Sequence, residues 1–218
     1  MTRLLVSIDV GGTLGQVDGP SLTATLAEAS PLNPADARRV IRQGLHTQPT
    51  IDGAVIADLC QELRIPVSAF PSVVEPAPLR LVPEALPAVR LMSQYATVVT
   101  LSNVTCLEAE TEHLRTLFHP WVVDHFPSCR TGYAKPDPAA FRHVVRRYGA
   151  RENDMVHIGD DWTCDVLGPR SAGATAIWIS KGRVAPEPDR LSDQRVLVAA
   201  DLAAASHQLA NLAQRRRS

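Results

Sequence analysis

Lysine is almost absent from this chain: Lys135 and Lys181 are its only two among 218 residues, and arginine carries the rest of the positive charge. Any lysine-dependent chemistry must therefore use one of two positions. No apolar run exceeds about seven residues, against the ~20 that a membrane-spanning helix needs. The apolar stretch from Leu4 to Ile8 is also too short for a secretory signal, so the expectation is a cytoplasmic protein with no membrane partner. The four cysteines, Cys60, Cys106, Cys129 and Cys164, share no CxxC spacing, which points to reduced structural thiols and away from a disulfide framework or a thiolate zinc site. His113, His119 and His125 lie close in sequence, but without a paired cysteine motif they do not make a metal cluster. A net charge of −1 removes broad electrostatic attraction to nucleic acid or membrane. What remains is an ordinary globular composition, 45% hydrophobic and 21% charged, long enough to bury one large core or a core plus an insert.

Residues 3–9 read as a buried strand. Residues 21–65 then turn helical: Leu22 to Ala29, a second helix capped by Asn33 with Pro34 at its first position, and a third carried by Val55, Ile56, Leu59, Cys60 and Leu63 at three- and four-residue spacing. Prolines 66, 71, 76, 78 and 83 mark a return linker. Beyond it the spacing predicts a helix over 86–95, with Pro87 delaying its regular part, a strand over 97–101 and a helix over 108–117. A short strand over 121–123, a helix over 138–148 and a strand over 155–158 follow, then a helix over 163–172 and a strand over 175–179. Arg215, Arg216 and Arg217 close a last helix, where positive charge suits the C-terminal dipole. This alternation predicts an α/β fold: a Rossmann-like parallel sheet core with helices on both faces, plus a small all-helical cap subdomain. The core would comprise 1–15 and 84–218, and the cap 16–83.

Four segments fall at the C-terminal ends of predicted strands, which converge on one crevice in a parallel sheet. They are Asp9-Val10-Gly11-Gly12-Thr13, Ser102-Asn103, Lys135-Pro136-Asp137-Pro138, and Gly159-Asp160-Asp161 with Asp165 beyond. Together they supply an aspartate, a hydroxyl, an amide, a lysine and an acidic cluster. That set suits phosphoryl transfer: a nucleophile, donors and a cation for phosphate oxygens, and carboxylates for Mg²⁺.

Gly-x-x-Lys-Pro-Asp-Pro followed by Gly-Asp-Asp-x-x-x-Asp resembles the haloacid dehalogenase (HAD) superfamily, in the branch whose helical cap follows the first strand. The resemblance implies Asp9 as a nucleophile forming an aspartyl-phosphate. It implies Ser102, Asn103, Lys135, Gly12 and Thr13 around the phosphoryl group. Mg²⁺ would be held by Asp9, the Gly11 backbone carbonyl and Asp160, with Asp161 or Asp165 acting through water or orienting the lysine. The partner would be a small phosphorylated metabolite.

One position departs from the pattern. Phosphatases of this superfamily usually carry a second, acid–base aspartate two residues after the nucleophile, and here that residue is Gly11. Asp18, His46 and Asp161 are the candidate replacements. Phosphonate-cleaving relatives use a cap lysine, and residues 16–83 contain none. Haloacid dehalogenases dispense with metal, so the Asp160–Asp161 pair argues against them, because extra carboxylates repel a carboxylate substrate unless neutralised. The expected function is Mg²⁺-dependent phosphohydrolysis, slowed or altered by Gly11. The alternatives are a catalytically impaired binding protein and a 2-haloacid dehalogenase.

Overall fold

The computed structural model describes residues 3–76 and 78–216. Its sheet is built from β1 (Leu4–Ile8), β4 (Ala96–Ser102), β5 (Val122–Pro127), β6 (Met155–Gly159), β7 (Thr175–Ile179) and β8 (Val196–Ala199). A separate ribbon pairs β2 (Gly15–Val17) with β3 (Leu79–Leu81). The six strands are all parallel in the order β5-β4-β1-β6-β7-β8. The chain runs from β1 outward to β5, then returns to β6 on the other side of β1 and runs outward again. That reversal opens a crevice at the carboxyl ends of the central strands.

Strands covered on both faces need near-continuous apolar sequence, and β1, β6 and β7 are buried at every position. Two polar residues interrupt the runs, Ser7 in β1 and His157 in β6. They are register partners, and their side chains hydrogen-bond to each other at 2.7 Å. Around the sheet pack α4 (Ala85–Tyr95), α5 (Thr111–Phe118), α7 (Pro138–Arg147) and α9 (Leu202–Arg215), with single-turn helices α6 (Ser128–Thr131) and α8 (Gly168–Ser171) between them. One apolar cluster joins α4 and α9 to the sheet through Val89, Met92, Leu202, Leu209, Val6 and Ile177. A second sits on the opposite face around Phe141, Val144 and Leu5.

Helices α1 (Leu22–Ala29), α2 (Pro34–Gly44) and α3 (Gly53–Leu63) share a core of their own, including Leu26, Ile41, Leu45, Leu59 and Leu63. Ser21, Asn33 and Asp52 cap them, each side chain accepting a backbone N–H, a contribution of ~1 kcal/mol apiece. The β2–β3 ribbon carries the chain out to these helices and back, so the return segment contains a strand where only a linker is expected. Three further elements differ from the sequence pattern. Helix α4 starts at Ala85 because Pro87 lies in the first turn, where its missing N–H has no helical partner to lose. Strand β5 extends to Pro127 although Asp124 and His125 break its apolar run; His125 Nδ1 instead pairs with Thr100 Oγ1 at 2.8 Å. The helix expected over 163–172 is a π-helical segment, Trp162–Leu167, followed by one turn of α-helix, Gly168–Ser171. Arg215 does close α9, while Arg217 lies outside the described residues.

Candidate active site

The crevice holds a buried chain of polar groups. Asp9 leaves β1, and Lys135 Nζ donates to its Oδ1 at 2.6 Å and to Asp165 Oδ1 at 2.7 Å. His157 Nε2 lies 3.0 Å from the same Asp165 oxygen, and Asp165 Oδ2 accepts from the Asp161 backbone N–H at 2.9 Å. Lys135, Asp165 and His157 are almost wholly excluded from solvent, and Asp9 is 8% exposed. Each member is positioned by local sequence. Asn103 clamps the Lys135 backbone from both sides, donating to its carbonyl at 2.6 Å and accepting from its N–H at 2.8 Å. Asp137 caps α7 just beyond it. Gly159 makes room for Asp165, since a Cβ there would lie 2.3 Å from the Asp165 carboxyl.

The two carboxylates share one ammonium unequally. Burial works against the charge of Asp165, yet Lys135 and the His157 hydrogen bond outweigh it and hold its pKa below the usual range. Asp9 has fewer donors, so burial dominates and pushes it up to about 7, with the negative charges of Asp165 and Asp160 adding to the shift and Lys135 opposing it. Burial also disfavours the Lys135 ammonium, but Asp165 and Asp9 outweigh this and raise its pKa, so it stays charged. Burial lowers the pKa of His157, which fits a neutral ring donating from Nε2 to Asp165 and accepting from Ser7.

A raised carboxyl pKa contributes stability that is complete below the unfolded value and lost as the pH rises through the folded one. For metal-free protein the window runs from 3.8 to about 7. Relative to an Asp9→Asn variant, the wild type is expected to lose stability across that window, as read from denaturant unfolding in the presence of a chelator. A flat difference between the two proteins would contradict this assignment.

Asp160 stands at the rim. One carboxylate oxygen from each of Asp9, Asp160 and Asp165 can be chosen so that all three lie within 4.8 Å of one another. Asp165 is fully engaged by Lys135, His157 and the Asp161 N–H, so the oxygens open to a cation belong to Asp9 and Asp160. Hard oxygen donors of this kind suit Mg²⁺. Gly12, at φ +80°, lies directly against Asp160: a Cβ there would sit 2.5 Å from Oδ1. Two cations also reach Asp160. Lys181 donates to Oδ2 at 3.0 Å and to the Gly12 carbonyl, and Arg183 donates to the Asp160 backbone carbonyl at 2.7 Å. Nothing in the sequence pattern singled out Lys181 or Arg183, which lie some 20 residues from Asp160 and across β7. The scarcity of lysine was the one available signal.

The remaining expected residues separate into groups. Ser102, Asn103 and Gly11 line one cavity of about 370 Å³ that is also lined by Thr23 of α1 and by His46 on the α2–α3 connection. Thr13 is buried, with no partner to its hydroxyl among the described residues. Asp161 caps the π-helical segment through Cys164 N–H at 2.7 Å. Asp18 forms an exposed ion pair with Arg80 on the β2–β3 ribbon, which engages its carboxylate away from the Asp9 chain. His46 is buried and lines the same cavity as Gly11. A Cβ on Gly11 would meet nothing within 4 Å, so the place of a second aspartate is open space.

Residues 132–205 match the family model described as HAD-hydrolase-like. Over 69 residues the chain is 35% identical to the phosphoserine phosphatase of Thermus thermophilus, a stretch covering 32% of this chain and 28% of that protein. The match thus spans under a third of that relative's length. A 2-haloacid dehalogenase from Pseudomonas syringae superposes with a TM-score of 0.64 at 18% identity, covering 97% of this chain and 100% of the other. A HAD phosphatase from Thermococcus onnurineus gives 0.56 at 16% identity, covering 94% and 97%. The last two likenesses concern the fold. Among the described residues no helix is long and apolar enough to cross a membrane.

Proposed function

We propose that this chain, a haloacid dehalogenase-like hydrolase by its fold and by the family match over residues 132–205, hydrolyses a small phosphorylated metabolite through an aspartyl-phosphate on Asp9. The observation that carries this reading is the buried Asp9–Lys135 pair at 2.6 Å with an Asp160 oxygen close to Asp9. Lys135 pins Asp9 at Oδ1, and among the described residues no side chain or backbone donor holds Oδ2. That oxygen is the attacking atom: it bonds phosphorus as the alcohol oxygen departs, and water then cleaves the acyl-phosphate and releases phosphate. Lys135 stays protonated, so it offers charge and hydrogen bonds to the phosphoryl oxygens and no proton to the leaving group. Ser102 and the turn Gly12-Thr13 complete the phosphate cradle. Asp9, Asp160 and the Gly11 carbonyl would hold Mg²⁺, which supplies neutralisation of the phosphoryl charge. Residues 16–83 act as the cap over this site. With Gly11 in place of an acid, leaving-group protonation falls to solvent, which slows esters of weakly acidic alcohols most.

The test is release of phosphate from an aryl phosphate with Mg²⁺, its loss on chelation, and its loss in Asp9→Asn. A broad phosphate-ester panel without turnover would sink the proposal and leave a binding protein. A second reading has one observation in its favour: Lys181 and Arg183 offset the Asp160 charge, which lessens the repulsion that argues against 2-haloacid substrates. Metal-independent halide release from a 2-haloacid would establish it.

A further inference from the structure

We propose that the cavity beside Gly11 receives an uncharged, largely apolar leaving group bearing a hydroxyl or amide, and disfavours phosphate esters that carry a carboxylate. The inference rests on the phosphohydrolase reading and names the substrate class of that site. His46, His113 and His125 line the cavity, and the first and last each have one buried ring nitrogen unused. His46, on the α2–α3 connection, is 6% exposed; its Nε2 pairs with Thr23 Oγ1 at 2.7 Å, and its Nδ1 has no partner among the described residues. His125, from β5, pairs through Nδ1 with Thr100, and its buried Nε2 is likewise unpartnered. A buried polar atom left unpaired is costly, and a ligand that bonds it removes the cost.

Both rings are neutral near pH 7. Burial, helped by the Arg42 charge, lowers His46 to about 4, and burial lowers His125. A neutral imidazole backed by a threonine hydroxyl can donate or accept, because the pair can switch tautomer and hydroxyl orientation together. That property suits a hydroxyl or an amide and gives no charge to hold an anion.

The rest of the wall agrees. Val10, Val17, Leu79, Val104 and Leu114 supply apolar surface, and about 370 Å³ is in the range of small-molecule pockets. No lysine or arginine is among the lining residues, whereas Glu108 and Glu110 are. Glu108 is engaged with the Leu22 N–H and with Thr105, yet its negative charge remains. A carboxylate on the leaving group would enter a cavity with like charge and no lining lysine or arginine, and like-charge placement is how a site rejects a ligand. Phosphoserine, which names one of the proteins compared above, carries that carboxylate on its leaving group.

The test compares 4-carboxyphenyl phosphate with its neutral amide, 4-carbamoylphenyl phosphate, under Mg²⁺. The amide is expected to show a kcat/KM higher by roughly tenfold or more, and Glu110→Gln is expected to narrow the gap. Calorimetry supplies a readout that needs no turnover. In it 4-hydroxybenzamide binds more tightly than 4-hydroxybenzoate, and His46→Leu weakens the amide. Equal or preferred use of the carboxylate ester, or tighter binding of the benzoate, overturns the cavity assignment. If that preference also disappears in Arg42→Ala, Arg42 is the anion's partner. Absence of turnover of both esters strikes the phosphohydrolase reading alone, and the binding comparison then decides the cavity by itself.

Discussion

Gly11→Asp is expected to raise kcat for phosphate-ester hydrolysis by ~10²–10⁴-fold, the usual worth of a positioned acid–base group, or ~3–5.5 kcal/mol of barrier. The substitution fits the structure: a Cβ on Gly11 meets no atom within 4 Å, and the residue has no left-handed φ to lose. Its carboxyl would enter the cavity that Gly11 already lines with Ser102. The proximity of Asp9 and Asp160 would raise its pKa, which suits a group that must deliver a proton near neutrality. The gain should depend on the leaving group. An alkyl phosphate departs as a strongly basic alkoxide and should gain most, while 4-nitrophenyl phosphate leaves easily and should gain least. Steady-state assays of both esters on wild type and variant provide the measurement. Equal rates for the alkyl ester in the two proteins would mean that a proton donor is not what limits this site.

The strands carrying the site were legible because burial on both faces demands unbroken apolar sequence. Residues 155–158 and 175–179 stand out on that ground, and Asp9 and Asp160 follow directly from where such runs stop. Asp165 was legible only as part of a motif. Its role in holding Lys135 depends on Gly159 lacking a Cβ and on the π-helical segment that carries it, and neither is a matter of periodicity. Strand β8, Val196–Ala199, leaves no mark in the sequence pattern: it is four residues long and lies at the sheet edge, too short to display a period. The His157–Ser7 and His125–Thr100 pairs were equally hidden, because each joins residues of neighbouring strands whose register only the folded sheet defines. Lys181 and Arg183 show the same limit. They reach Asp160 because β6 and β7 are neighbours, a relation that sequence distance conceals.

Lys135→Met is expected to abolish hydrolysis and to destabilise the metal-free protein by ~3–5 kcal/mol at pH 8, the usual result of leaving a buried charge without its partner. Methionine matches the length of the lysine stem, so the loss isolates the ammonium from the packing of its methylenes. Without it, Asp9 and Asp165 lie together in a site almost wholly shielded from water. Asp165 retains the His157 and Asp161 hydrogen bonds. Asp9 retains nothing comparable, and its pKa, already about 7 with the lysine in place, must climb further. The penalty should therefore shrink on acidification: at pH 5 Asp9 takes a proton in the variant and the repulsion disappears. Denaturant unfolding of wild type and variant at pH 8 and pH 5, both with chelator, would measure it. A penalty independent of pH would mean that lost packing is responsible, and that Lys135 does not serve as the shared counter-charge of the two aspartates. A penalty confined to high pH would instead tie folding stability and nucleophile ionisation to the same ammonium, so that the group which keeps Asp9 reactive also keeps the crevice folded around it.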